Sequence, residues 1–107
     1  MVEHKADISL VRVQLPYHLR NLTSAPSEVQ LEIEGRVTAE AIIDALEAQY
    51  PAMRGTVREY ASGQRRAYLR FFACGEDLSH QPLDAELPEA VANGEELFRI
   101  VGAISGG

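Results

Sequence analysis

A chain of 107 residues, 46% hydrophobic and 24% charged, has the size and balance of one ordinary globular domain. Its net charge of −6 argues against nucleic acid as a partner, because that binding leans on clustered basic side chains. No apolar run approaches the roughly 20 residues of a membrane helix. Residues 1–7 lack the apolar stretch of a secretory signal, so a cytoplasmic location is expected.

In chain order, residues 1–7 are short and polar and are expected to be disordered. From Ile8 to Leu15 the sequence alternates, with Val11, Val13 and Leu15 on one face and Leu10, Arg12 and Gln14 on the other, the period of a strand. Pro16 ends this run, and a polar loop is expected through Ser27. A second alternation follows: Val29, Leu31 and Ile33 face inward, and Glu28, Gln30, Glu32 and Glu34 outward. The two runs read as a hairpin with a long connection.

Gly35 breaks the pattern, and Thr38 can cap a helix by accepting from a free first-turn amide. Ile42, Ile43, Leu46 and Tyr50 lie at helical spacing from Ala39 onward, and Pro51 stops the helix. A second short helix is expected within residues 52–60, then a turn at Ser62-Gly63. Ala67 to Cys74 reads as a strand, with Leu69, Phe71 and Ala73 on one face and Tyr68, Arg70, Phe72 and Cys74 on the other. Residues 75–93 read as irregular, broken by Pro82 and Pro88. Asn93-Gly94 is a turn signal, and Leu97 to Val101 is a last strand that runs into Gly102-Ala103-Ile104-Ser105-Gly106-Gly107. One helix with several strands buries its apolar stripe only against a sheet face, which gives an α+β roll.

Read from its end, the chain shows Asn93-Gly94-Glu95-Glu96-Leu97, the aliphatic run Phe98-Arg99-Ile100-Val101, and a closing Gly106-Gly107. With Gly35-Arg36-Val37-Thr38 before the helix, Tyr50-Pro51 after it and Cys74-Gly75-Glu76-Asp77 further on, this resembles the MoaD/ThiS family of sulfur carriers. The resemblance covers Ile8 to Gly107 and implies a ubiquitin-like β-grasp fold, a mixed sheet on one main helix, with first and last strands paired in parallel. Cys74 stands where the family usually has Asn, and the last strand reads one residue long, which suggests a bulge.

The resemblance also implies a chemistry. Gly107 would carry a carboxylate that an E1-like adenylyltransferase activates with ATP and that a sulfur donor converts to a thiocarboxylate. An acceptor enzyme, such as a molybdopterin synthase large subunit or its counterpart in thiamine or cysteine pathways, would receive the sulfur. The chain itself would be no enzyme and bind no cofactor. The tail suits this work. Its six residues, Gly102 to Gly107, extend to about 20 Å, and the last two have no Cβ to obstruct a narrow channel. The same end would equally serve a ubiquitin-like modifier joined to proteins through an isopeptide bond, and a β-grasp binding module would not use it at all. Lys5 is the one lysine, against nine arginines, so chains of this protein linked through its own lysines have little scope.

Other residues carry weaker signals. Arg12, Tyr68, Arg70, Phe72 and Arg99 fall on the sheet face away from the helix, and exposed Arg, Tyr and Phe together mark protein docking surfaces. Cys74, the single cysteine, excludes an internal disulfide and a Cys-rich zinc site. It reads as a half-buried strand residue before it reads as a nucleophile. Asp77 and His80 are a conceivable polar pair. The acidic residues Glu76, Asp77, Asp84, Glu86 and Glu89 lack the spacing of a calcium loop and read as solvated surface. No metal site is expected.

Overall fold

The computed structural model describes residues 8–102; residues 1–7, expected to be disordered, and the tail residues 103–107 lie outside them. In chain order the elements are strand β1 (Ile8–Gln14), helix α1 (Tyr17–Thr23), β2 (Glu28–Glu34), α2 (Ala39–Gln49), a 3-10 turn at Pro51–Met53, β3 (Leu69–Ala73), β4 (Glu76–Asp77), α3 (Glu89–Ala92) and β5 (Phe98–Gly102). The strands form one mixed sheet in the order β2-β1-β5-β3-β4. β1 and β2 pair antiparallel over their whole length, from Ile8 opposite Glu34 to Gln14 opposite Glu28. β5 lies at the centre, parallel to β1 and antiparallel to β3. This is the ubiquitin-like β-grasp arrangement.

Alternation sorts the side chains as the sequence requires. Val11, Val13, Val29, Leu31, Ile33, Leu69, Phe71, Phe98 and Ile100 are all buried beneath α2, which contributes Ile42, Ile43 and Leu46. Phe71 and Phe98 meet with ring centroids 5.3 Å apart and planes tilted by 46°, an offset geometry that aromatic pairs favour. Thr38 caps α2: its hydroxyl accepts from the Ala41 amide at 3.0 Å. A second first-turn amide, that of Glu40, donates to the Leu83 carbonyl at 2.9 Å, so the irregular 78–88 segment finishes what the side-chain cap begins.

The structure corrects several expectations. The stretch after Pro16 is not a loop throughout, because Tyr17–Thr23 forms a helix that ends on Ser24 in the left-handed conformation. The helix expected within 52–60 shrinks to the turn at Pro51–Met53, because Gly55 takes a φ of +83° and the chain turns away. Residues 75–93 contain β4 and the one-turn α3. β5 pairs with β3 without interruption from Arg99 opposite Phe72 to Gly102 opposite Leu69, so no bulge interrupts that ladder. Cys74 is exposed and sits in a turn, not in the strand.

Candidate functional site

Two places bear on the sequence expectations: the end of β5 and the sheet face turned away from α2. Phe98 and Ile100 point into the core and anchor β5, while Arg99 and Val101 point outward. β5 pairs with β1 at Phe98 and Arg99 and with β3 from Arg99 to Gly102, so on the β3 side the ladder runs to Gly102, opposite Leu69. Gly102 is the last described residue; Ala103, Ile104, Ser105, Gly106 and Gly107 lie outside the described set.

Helix α1 reaches this point. A Cβ placed on Gly102 would lie 3.7 Å from Cε1 and 3.9 Å from Nδ1 of His18. The His18 and Tyr68 rings are neighbours, with centroids 6.3 Å apart. α1 is fixed by Leu19, which is fully buried. Sequence reasoning missed His18. Its only signal was its place just after Pro16, where the first strand ends beside the end of the last.

Of the five residues expected on a docking face, four lie on the side of the sheet opposite α2. β1 places Arg12 and β5 places Arg99 on the side opposite α2, and β3 places Arg70 and Phe72 there. Tyr68 differs from the expectation: it precedes β3 by one residue, is 40% exposed, and its ring neighbours His18 of α1 while its hydroxyl donates to the Thr56 carbonyl at 3.4 Å. The arginines are not free charges, however. Arg12 spans a gap: Nε donates to the Gly94 carbonyl at 2.8 Å, Nη2 to the Glu95 carbonyl at 3.1 Å, and Nη1 to Glu28 at 3.3 Å. It clasps the 93–95 turn to the sheet. Arg70 donates to Asp77 at 3.1 Å, across the β3–β4 hairpin, and Arg99 to the Gln14 side chain at 2.6 Å. Leu10 and Val101, both about half-exposed, join the same face and follow from the same alternation. The outer edge is acidic, with Glu28, Glu32 and Glu34 of β2.

The remaining candidates part company. Asp77 does not bond His80. It accepts from the Ser79 amide at 2.9 Å and pairs with Arg70. Hydrogen bonding from Ser79, helped by the Arg70 charge, holds its carboxyl below the usual carboxylate range. Ser79 is buried, and its hydroxyl accepts from the Phe71 amide at 2.8 Å, so this cluster fixes the strand end. A second clasp lies on the helix side. Arg58 donates to Glu47 at 2.9 Å and Asp44 at 2.6 Å on α2, and these bonds, Glu47 first, raise its pKa further. Among the described residues, no group of three or more His, Cys, Asp or Glu side chains could hold a metal ion, and no helix is long and apolar enough to cross a membrane.

No family model and no curated protein matches the sequence. Solved structures do match the fold. The crystal structure of SAMP1 from Haloferax volcanii superposes with a TM-score of 0.70 at 19% identity, over 92% of this chain and 99% of that one. A chain of the Amycolatopsis orientalis BexX/CysO complex gives 0.69 at 23% identity, over 91% and 99%. The solution structure of the small archaeal modifier protein SAMP1 from Methanosarcina acetivorans gives 0.70 at 20%, over 94% and 99%. At these identities it is architecture that is shared: the chain has the ubiquitin-like β-grasp fold of these small proteins.

Proposed function

We propose that the chain is a sulfur carrier of the MoaD/ThiS type that works through the carboxylate of Gly107. The observation that supports this reading most is the placement of β5, the central strand, which leads at Gly102 into a sequence closing on Gly106-Gly107. A central strand gives a fixed point of departure, and the five residues beyond it could span about 17 Å if extended. With Gly107 as the terminus, its carboxylate attacks the α-phosphorus of ATP in an E1-like adenylyltransferase, and pyrophosphate leaves. Hydrosulfide from a sulfur donor then attacks the acyl-adenylate carbonyl, AMP departs with the bonding pair, and a thiocarboxylate remains. An acceptor such as a molybdopterin synthase large subunit takes the sulfur. The folded body catalyses none of these steps; it presents the end.

Docking falls to the face carrying Arg70, Phe72 and Arg99, with Tyr68 just before β3 at its margin and Arg12 holding the neighbouring turn. Aromatic and arginine side chains with partly satisfied hydrogen bonds suit a protein partner, since they bury much area and retain polar contacts.

The second reading, a protein modifier, draws on three of the matched structures being small archaeal modifier proteins. One comparison sorts the readings. A variant with alanine appended after Gly107 should lose ATP–pyrophosphate exchange with an activating enzyme that accepts the wild type. Retained exchange contradicts terminal activation altogether. Stable conjugates on target lysines, resistant to thiols and sulfide, would favour the modifier.

A further inference from the structure

A cleft between residues 64–65 and residues 79–83 departs from the acidic character of the chain. It holds about 370 Å³, and Gln64, Arg65, His80, Gln81, Pro82 and Leu83 line it, with no carboxylate among its walls. Three other clefts each carry carboxylates: Asp44 and Glu47 in one, Glu86 and Glu89 in another, Glu89 in a third. Arg65 is the charged group of this cleft, and the fold fixes it without neutralising it. Its Nε donates to the Ser79 carbonyl at 3.1 Å, and Nη1 donates to the Arg66 and Leu69 carbonyls at 3.2 and 2.6 Å. Three main-chain acceptors hold the guanidinium plane, and none of them cancels its charge. Arg12, Arg36, Arg58, Arg66 and Arg70 each lie within 4.0 Å of a carboxylate among the described residues, and Arg65 does not. Its third nitrogen, Nη2, has no protein partner; it is not sealed from solvent either, since the one buried, unpartnered side-chain nitrogen among the described residues is Arg20 Nε. Exposed Gln64, His80 and Gln81 add further N–H donors around it. The acids close by in sequence are engaged elsewhere: Asp77 with the Ser79 amide and Arg70, Glu86 with Arg36.

We propose that this cleft binds a phosphate group, free or carried as a small monoester, with Arg65 as its anchor. The chemistry selects among anions. A planar carboxylate is held best by two nitrogens of a guanidinium acting as a fork. Here Nε and Nη1 are already spent on carbonyls, so no two-nitrogen edge remains. A tetrahedral oxyanion accepts from several directions, which suits one free nitrogen with an imidazole and two amides around it. The platform needs little reordering to bind, because the backbone already holds it. Pro82 and Leu83 give the cleft an apolar wall for the organic part of an ester. The site lies within the folded body and does not depend on the carrier reading.

The test titrates the full 15N-labelled chain with inorganic phosphate, phenyl phosphate and acetate at constant ionic strength, followed by amide and side-chain shifts. Support is saturable shifts at Gln64, Arg65, His80 and Gln81 with both phosphates, and weaker binding of acetate. A lower Kd for phenyl phosphate assigns the site to esters, and equal values assign it to the free ion. Arg65→Lys keeps the charge but not the three carbonyl bonds, and should raise Kd about tenfold. Because that change removes bonds the fold uses, the double variant His80→Ala with Gln81→Ala, both exposed, repeats the test without it and should raise Kd at least about threefold. Arg54→Gln, an exposed arginine of another cleft, should leave Kd within about twofold and controls for general attraction. Shifts that do not saturate, acetate binding as tightly as phosphate, an unchanged Kd in the double variant, or an equal loss in Arg54→Gln would mean an adventitious ion only and overturn the proposal.

Discussion

The turn between β3 and β4 offers a perturbation whose size follows from the backbone. Ala73 pairs with Glu76, which leaves two residues to reverse the chain. Both have positive φ: +54° at Cys74 and +77° at Gly75. This is the pattern of a type I′ turn, the two-residue turn whose twist matches that of a hairpin, and its preferred pair is Asn-Gly. Gly75 meets the demand. Cys74 meets it at a cost, since an L-residue in the left-handed region loses about 1–2 kcal/mol to contact between Cβ and carbonyl. Asparagine recovers part of this through local hydrogen bonding of its short side chain. Cys74 is exposed, so the exchange disturbs no packing. Cys74→Asn should therefore stabilise by about 0.5–1 kcal/mol, half of the strain, and raise Tm by roughly 2–6 °C for a domain of this size. Thermal melts in reductant, with urea midpoints at unchanged m, measure it. Cys74→Ser separates loss of the thiol from gain of the turn former, and Cys74→Val should shift Tm the other way, because β-branching is worst at positive φ. An Asn variant no more stable than the Ser variant would refute the reasoning.

Three further expectations follow from the same contacts. In a double-mutant cycle, Arg58 should couple to Glu47 by about 1 kcal/mol and to Asp44 by less than about half of that; the Glu47 side chain is 15% exposed and the Asp44 side chain 61%, so water screens the second pair. Equal couplings would contradict this account. Phe98→Ala should cost about 3–5 kcal/mol, measured by urea unfolding, because losing a fully buried ring packed against Phe71 leaves a cavity under the central strand. Asp77 has its carboxyl pKa lowered in the folded state, so its contribution is fully present above the unfolded value of about 3.9 and is lost as pH falls through the folded one. Asp77→Asn should accordingly be less stable than wild type at pH 7, and the gap should close below about pH 4; a gap independent of pH would exclude the charge as its cause.

The parts of the fold that were legible in the sequence are those where one face is buried and the other wet. Val11 and Val13, Val29 to Ile33, and Leu69 to Ala73 each alternate cleanly, and burial follows the alternation residue by residue. The α2 helix announced both ends, with Thr38 and Pro51. Helix α1 announced neither. Pro16 at its N-cap offers no side-chain acceptor, its first turn has no acidic residue, and of its two leucines at helical spacing only Leu19 is buried while Leu22 is exposed, so seven residues gave the period of 3.6 too little to show itself. What holds it is tertiary: Leu19 in the core, where the neighbouring elements close over it. The outer sheet face was legible as a set of positions for Arg12, Arg70, Phe72 and Arg99, because position within a strand follows from alternation. Its electrostatics were not, since the partners that restrain the arginines, namely the Gly94 and Glu95 carbonyls, Asp77 and Gln14, come from other strands and turns. Cys74 shows the same divide at a single residue. The run from Ala67 looked like a strand through position 74, but Gly75 decides where the strand stops, and Cys74 is drawn into the turn.

The carrier reading stands on Gly107, so the most direct measurement is its chemical state. The purified chain, incubated with ATP, an E1-like activating enzyme and a sulfide source, is followed by intact mass and by fragmentation of the C-terminal peptide. The account predicts replacement of one oxygen by sulfur, located on Gly107, dependent on ATP and abolished when a residue follows Gly107. An unchanged mass, under conditions in which a control carrier is converted, would contradict it.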